Sequence, residues 1–227
     1  MELTGWTCPE LRSEAESLNT RTGRPVNLQQ LEADIRAFVR RGYPDIEVRV
    51  EPWAADPSRP AVYFTEAQFA SLYPAQRYHY LRHLIPADYY ERHLTDSEWF
   101  ELAPGERPED LEYPDAELIA DITPDVMRCL SGARIFEALD DLLCPSDGAQ
   151  TRRQCHGDYR HARAVLSAGG FREDELFDVF HVLMARGGYC DCEILYNAVE
   201  ASRLKAEYWR ARAEQIEPYD PHVGPRE

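Results

Sequence analysis

Gly187-Gly188-Tyr189-Cys190-Asp191-Cys192-Glu193-Ile194-Leu195 is the stretch from which the organisation of this chain is read. Two cysteines one residue apart follow a pair of glycines that closes one helical pattern, and another helical pattern begins at once. Upstream lies Cys155, with His156 beside it and His161 six residues on. Thiolate and imidazole are the donors zinc prefers, and a structural zinc takes four of them. The expected metal ligands are therefore Cys155, His161, Cys190 and Cys192, with His156 and Cys144 as alternates for the fourth place. In an extended Cys-x-Cys both side chains point to one side, because strand residues alternate faces. A helical module of about 70 residues carries little core, and a metal is a common staple at that size.

Working outward, Asp174 to Arg186 places Leu176, Phe177, Val179, Phe180 and Leu183 at helical spacing before the glycine stop. Asp158 to Ser167 predicts a shorter helix that ends at Gly169-Gly170. Glu193 to about Glu214 predicts a long final helix, with Ile194, Leu195, Val199, Leu204 and Trp209 as its core side. Cys144-Pro145-Ser146-Asp147-Gly148 is a turn and marks a boundary. Before it, Pro124 is expected in the first turn of a helix that runs through Leu130 to Leu143, interrupted at Gly132. Cys129 is expected in the core, as free cysteine commonly is.

The first half reads differently. Asn27 caps a helix from Leu28 to about Arg41, with Leu28, Leu31, Ile35 and Phe38 as its apolar stripe. Ile46, Val48 and Val50 alternate with charged residues as a half-buried strand, and Ala61 to Phe64 is a second strand. Pro74 opens another helix and Pro86 a shorter one. Trp99 to Leu102 is assigned as a strand in preference to a helix capped by Thr95. Pro108 to Ile122 is expected to be helical in part. His79, His83 and His93 fall at spacings that ordinary amphipathic helices produce, and they are not assigned a metal.

The expected fold class is α+β. Residues 1–26 form an irregular lead and 27–123 an α-β-β-α-α-β-α module. Residues 124–145 are a connecting helix, 146–217 a helical Cys/His module, and 218–227 a polar tail. In its element order, with the run Tyr63 to Phe69 and then Gln76-Arg77-Tyr78, the first module resembles the BolA-like and type II KH-like folds. It departs from both in chemistry. The BolA family's functional histidine falls on Tyr78, and the second falls near Phe100. The Gly-x-x-Gly clamp of RNA-binding KH domains is missing. The C-terminal stretch, residues 153 to about 200, resembles an uncharacterised bacterial family, domain of unknown function 2695. Its hallmark, a cysteine ahead of a helix start and then a GGxCDCE run, is matched here by Cys155, Tyr159-Arg160-His161-Ala162 and Gly187 to Asn197. That resemblance implies a fold and a metal site, and no activity.

Composition narrows the role. The net charge is −16, which disfavours direct contact with nucleic-acid phosphates. Between Asp88 and Asp125 the acids face only Arg92 and Arg107, so the segment around 98–121 is expected to dock a protein partner. The start of the chain lacks the pattern of a signal peptide, and no apolar run reaches the ~18 residues of a membrane span. These features predict a cytoplasmic protein, free of the membrane, in which six cysteines serve as thiols or ligands. The leading expectation is a non-enzymatic interaction or regulatory protein with a structural zinc, and a homodimer is compatible with it. Two alternatives stand beside it: a metal- or thiol-dependent enzyme using Cys190, Cys192 and Glu193, and an acidic mimic of nucleic acid.

Overall fold

The computed structural model describes residues 27–145 and 154–214. The expected lead, most of the turn after Cys144 and the polar tail lie outside them. The chain divides into two compact units, Met1–Glu112 and Tyr113–Glu227.

In the first unit, Asn27 accepts from the backbone of Gln29 and Gln30 and starts α1 (Leu28–Val39). Leu31, Ile35 and Val39, each four residues apart, are its buried side. β1 (Glu47–Pro52) pairs antiparallel with β2 (Pro60–Thr65), and β2 pairs parallel with β3 (Glu98–Leu102), giving the order β1-β2-β3. The parallel pairing requires a crossover, which α2 (Pro74–Leu84) and α3 (Ala87–His93) supply. Val48, Val50, Val62, Phe64 and Trp99 cover one face and pack with the α1 stripe, Phe69, Leu81 and Leu94 into one core. The expected α-β-β-α-α-β order is present, and Trp99 to Leu102 is a strand.

Polar side chains close both edges of this sheet. On β1, the carbonyl of Val48 accepts from Arg36 and the amide of Val50 donates to Glu32, and these two side chains are themselves an ion pair. On β3, the carbonyl of Glu101 accepts from Arg77, whose guanidinium also holds both oxygens of Glu106. Capped edge groups of this kind oppose strand addition by another chain.

The second unit is helical: α4 (Ala116–Gly132), α5 (Ile135–Leu143), α6 (Arg160–Ala168), α7 (Glu173–Ala185), the short α8 (Asp191–Glu193) and α9 (Arg203–Glu214). Two expectations are corrected. Pro124 does not open a helix but lies inside α4, because Asp115 caps the helix nine residues earlier by accepting from Glu117 and Leu118. The carbonyl that Pro124 leaves without a donor belongs to exposed Ala120, so water can satisfy it. Residues 124–145, expected as a connector, thus belong to α4 and α5 within the second unit. Cys129 is exposed on α4 and is not a core residue.

The long final helix is also broken. The helical turn of α8 widens into a π-helical turn, Ile194–Ala198, and Val199 is extended. α9 then restarts under two caps. Ser202 accepts from Lys205, and the carboxylate of Asp140 accepts from the backbone of Arg203 and Leu204. Ile194 and Leu195 are buried as expected, whereas Trp209 is 55% exposed. Among the described residues no helix is long and apolar enough to cross a membrane.

Candidate metal centre

Helix α7 ends where Gly187 takes φ +81°, a conformation that side chains of L-residues resist. Gly188 then passes so close to the next turn that a β-carbon there would lie 3.1 Å from Ile194 Cα and 3.2 Å from the Leu183 carbonyl. The paired glycines thus reverse the chain tightly and deliver Cys190 to the start of α8.

The second segment is aligned against this turn by bonds that involve no sulfur. The Tyr159 hydroxyl donates to the Gly188 carbonyl at 2.5 Å, and its ring stacks on Phe180 with centroids 4.2 Å apart. The Asp191 amide donates to the Asp158 carbonyl. The Asp191 carboxylate, fully buried, accepts from the amides of His161 and Ala162 at 3.1 and 2.8 Å. These are the second and third residues of α6, so Asp191 acts as an N-cap supplied from thirty residues away. Burial raises its carboxyl to about 6. The helix that Asp191 caps is α6 rather than its own. Glu193 accepts from the Tyr189 amide at 3.0 Å.

With these segments locked, Cys155, Cys190 and Cys192 place their sulfurs within 4.8 Å of one another. Cys190 and Cys192 are 3.3 Å apart, so they are thiols and not a disulfide, whose sulfurs sit about 2.05 Å apart. They do not meet through a strand, as expected from an extended Cys-x-Cys. Cys190 is extended (φ −151°, ψ 174°), but Cys192 is already in the helical turn that follows. The two sulfurs meet across the junction between the extended residue before the helix and its first turn. Cys190 is buried, while Cys155 and Cys192 are partly exposed.

The cluster concentrates negative charge on one sulfur. The thiols of Cys190 and Cys192 donate to Cys155, and the amides of Gly157 and Cys192 add to them, holding Cys155 down at about 2 against its burial. The same sharing raises Cys190 and Cys192. Gly157, at φ +76°, sits in the left-handed region just after Cys155.

The donor set fits a thiophilic ion. With metal–sulfur bonds of about 2.3 Å, the sulfurs of a tetrahedral zinc lie about 3.8 Å apart, inside the spread found here. Of the expected ligands, the fold brings together the three cysteines. The Nε2 of His161 is 3.0 Å from the Gln154 carbonyl, and the ring of His156 is 5.9 Å from that of His161. Cys144 is buried at the end of α5. Neither histidine nor Cys144 is part of the three-sulfur group among the described residues. What sequence reasoning missed is the stitching, Tyr159 to Gly188 and Asp191 to α6, for which the only signal was an aspartate between two cysteines.

Neither the curated proteins nor the solved structures include a significant match to the chain. Residues 142–197, which carry all three sulfurs and the glycine turn, match the family model described as protein of unknown function (DUF2695), and the C-terminal region is similar to that family.

Proposed function

We propose that the C-terminal unit is stapled by one zinc ion bound to Cys155, Cys190 and Cys192, and that the chain acts by binding a protein partner rather than by catalysis. The observation that carries the reading is the meeting of three sulfurs from two segments that separate hydrogen bonds have already aligned. A site so anchored already holds the two segments side by side before a metal arrives. His161 is the proposed fourth ligand, with His156 and Cys144 as alternates; its ring would exchange the Gln154 carbonyl for the ion. When bound, zinc supplies cross-linking of the two segments. The carboxylates beside it serve as backbone caps, Asp191 on α6 and Glu193 on Tyr189, which favours a structural over a hydrolytic role.

The proposed docking surface includes Glu117 and Asp121, exposed four residues apart on α4. Much of the acidic segment has local work instead: Glu106 binds Arg77, Asp110 binds Arg107, and Asp115 caps α4. For the first unit, the finer reading is a BolA-like or type II KH-like arrangement, supported by element order.

The test is zinc content of protein purified without chelator, repeated on Cys190→Ser. About one zinc per chain, lost in the variant together with a lowered melting temperature, is the expected result. Absence of zinc from a folded wild-type chain, with no uptake on addition, would sink the proposal. The alternative, a metal- or thiol-dependent enzyme using Cys190, Cys192 and Glu193, is favoured by one observation, the partly exposed Cys192 sulfur. It predicts rapid alkylation of Cys192 in the folded protein as purified.

A further inference from the structure

We infer that the cysteine cluster releases its ion in response to peroxide, with Cys155 and Cys192 joining as a disulfide. This deepens the zinc-staple reading and rests on it. Three features of the site point the same way. Oxidant access is uneven: Cys190 is 5% exposed, whereas Cys155 and Cys192 are partly open to solvent. Partner choice is restricted, because a disulfide across a single residue is held away from its preferred dihedral, while Cys155 and Cys192 come from separate segments. The distance to close is small, since all three sulfurs lie within 4.8 Å of one another.

A fourth feature decides what survives the reaction. The two segments are held by the Tyr159–Gly188, Asp191–Asp158 and Asp191–α6 hydrogen bonds, none of which uses sulfur. The frame therefore persists when the ligand set is broken, and the disulfide spans the same two segments that the ion did. Metal content changes while the fold remains.

The chemistry balances with a hydroperoxide as the oxidant. The Cys155 thiolate attacks one peroxide oxygen and the O–O bond breaks. Cys155 becomes a sulfenic acid, oxidised by two electrons, and hydroxide (from hydrogen peroxide) leaves and takes a proton. The Cys192 thiolate then attacks the sulfenic sulfur. The S–S bond forms, the S–O bond breaks, and the oxygen departs as a second water after protonation. Loss of two of three cysteine ligands releases the ion and leaves Cys190 as a thiol. A dithiol reductant reverses the change by thiol–disulfide exchange.

The experiment uses the full chain loaded with zinc, carrying Cys129→Ser to remove the exposed thiol on α4. Hydrogen peroxide is titrated in while a colorimetric indicator follows free zinc. The products are digested without reduction and their disulfides mapped by mass spectrometry. The expected result is stoichiometric zinc release, a Cys155–Cys192 cross-link, unchanged far-ultraviolet circular dichroism, and recovery on adding reductant and zinc. Zinc retained under excess peroxide overturns the inference and leaves the staple reading standing. Release with a Cys190–Cys192 cross-link or with loss of the fold also overturns it. A chain that neither carries nor takes up zinc overturns the staple reading first, and this inference with it.

Discussion

At the scale of single residues, two buried carboxylates carry opposite lessons. Asp191 is buried and fully used, accepting from two backbone amides of α6. Asp191→Ala is expected to cost about 2 kcal/mol, the upper end for loss of a helix cap, because the freed amide of Ala162 is buried and that of His161 half-buried. Urea denaturation measures this, and an unchanged midpoint would remove Asp191 from the stitching. Glu101 is buried on the core side of β3, and its Oε1 has no hydrogen-bond partner among the described residues. Burial raises its carboxyl from 4.5 to about 7. The folded state therefore keeps a proton that the unfolded chain has given up between those two values. Stability is highest below about pH 4.5 as far as this group is concerned, and it falls as pH rises to about 7. Each pKa unit corresponds to about 1.4 kcal/mol, so the cost above pH 7 is of order 3 kcal/mol. Glu101→Gln is expected to flatten that slope and to raise the melting temperature at pH 8 but not at pH 4.5. Equal pH profiles for the two proteins would show that Glu101 does not titrate in this way.

At the scale of elements, the turn between α7 and α8 is the hinge of the site. Gly187 provides the positive φ, and Gly188 provides room beside Ile194 and Leu183. Gly188→Ala sets its methyl 3.1–3.2 Å from Ile194 and Leu183, so the turn must give by a few tenths of an ångström, and zinc affinity as well as stability is expected to fall. Competition with a metal indicator gives the affinity, and a variant that binds like wild type would show that the turn yields without disturbing the sulfurs. The edge of β1 offers an independent test. Glu32→Ala or Arg36→Ala uncovers a backbone group of Val48 or Val50, and light scattering on warming is expected to rise. Local signals made these elements readable in advance. Asn27, Pro74 and Pro86 mark the starts of α1, α2 and α3, and alternation marks β1. The reading failed at Pro124 and at the break after Ala198. A proline in a first turn and a proline on an exposed helix face look alike in sequence. The restart of α9 depends on Asp140, more than sixty residues away.

At the scale of the whole molecule, each unit has its own core, one built on a three-stranded sheet and one on helices. Metal binding contributes directly to the folding free energy of the unit that holds the site. A strong chelator is therefore expected to lower the thermal stability of the helical unit while that of the sheet unit is kept. Scanning calorimetry of the full chain, with and without chelator, distinguishes this from a single transition that shifts as one. The net charge of −16 adds self-repulsion to both units, so moderate salt is expected to raise stability modestly.

The sequence by itself determined most elements of this protein and the kind of atoms at its site. Helical and strand periodicity, proline and glycine punctuation, and the cysteines at 155, 190 and 192 are local properties of the chain. Only the tertiary structure decided which donors meet. The three sulfurs converge because Tyr159 and Asp191 tie two segments some thirty residues apart, and the same frame turns His161 toward the Gln154 carbonyl. Spacing along a chain limits which side chains can reach one point, but hydrogen bonds and burial between distant segments fix where that point is.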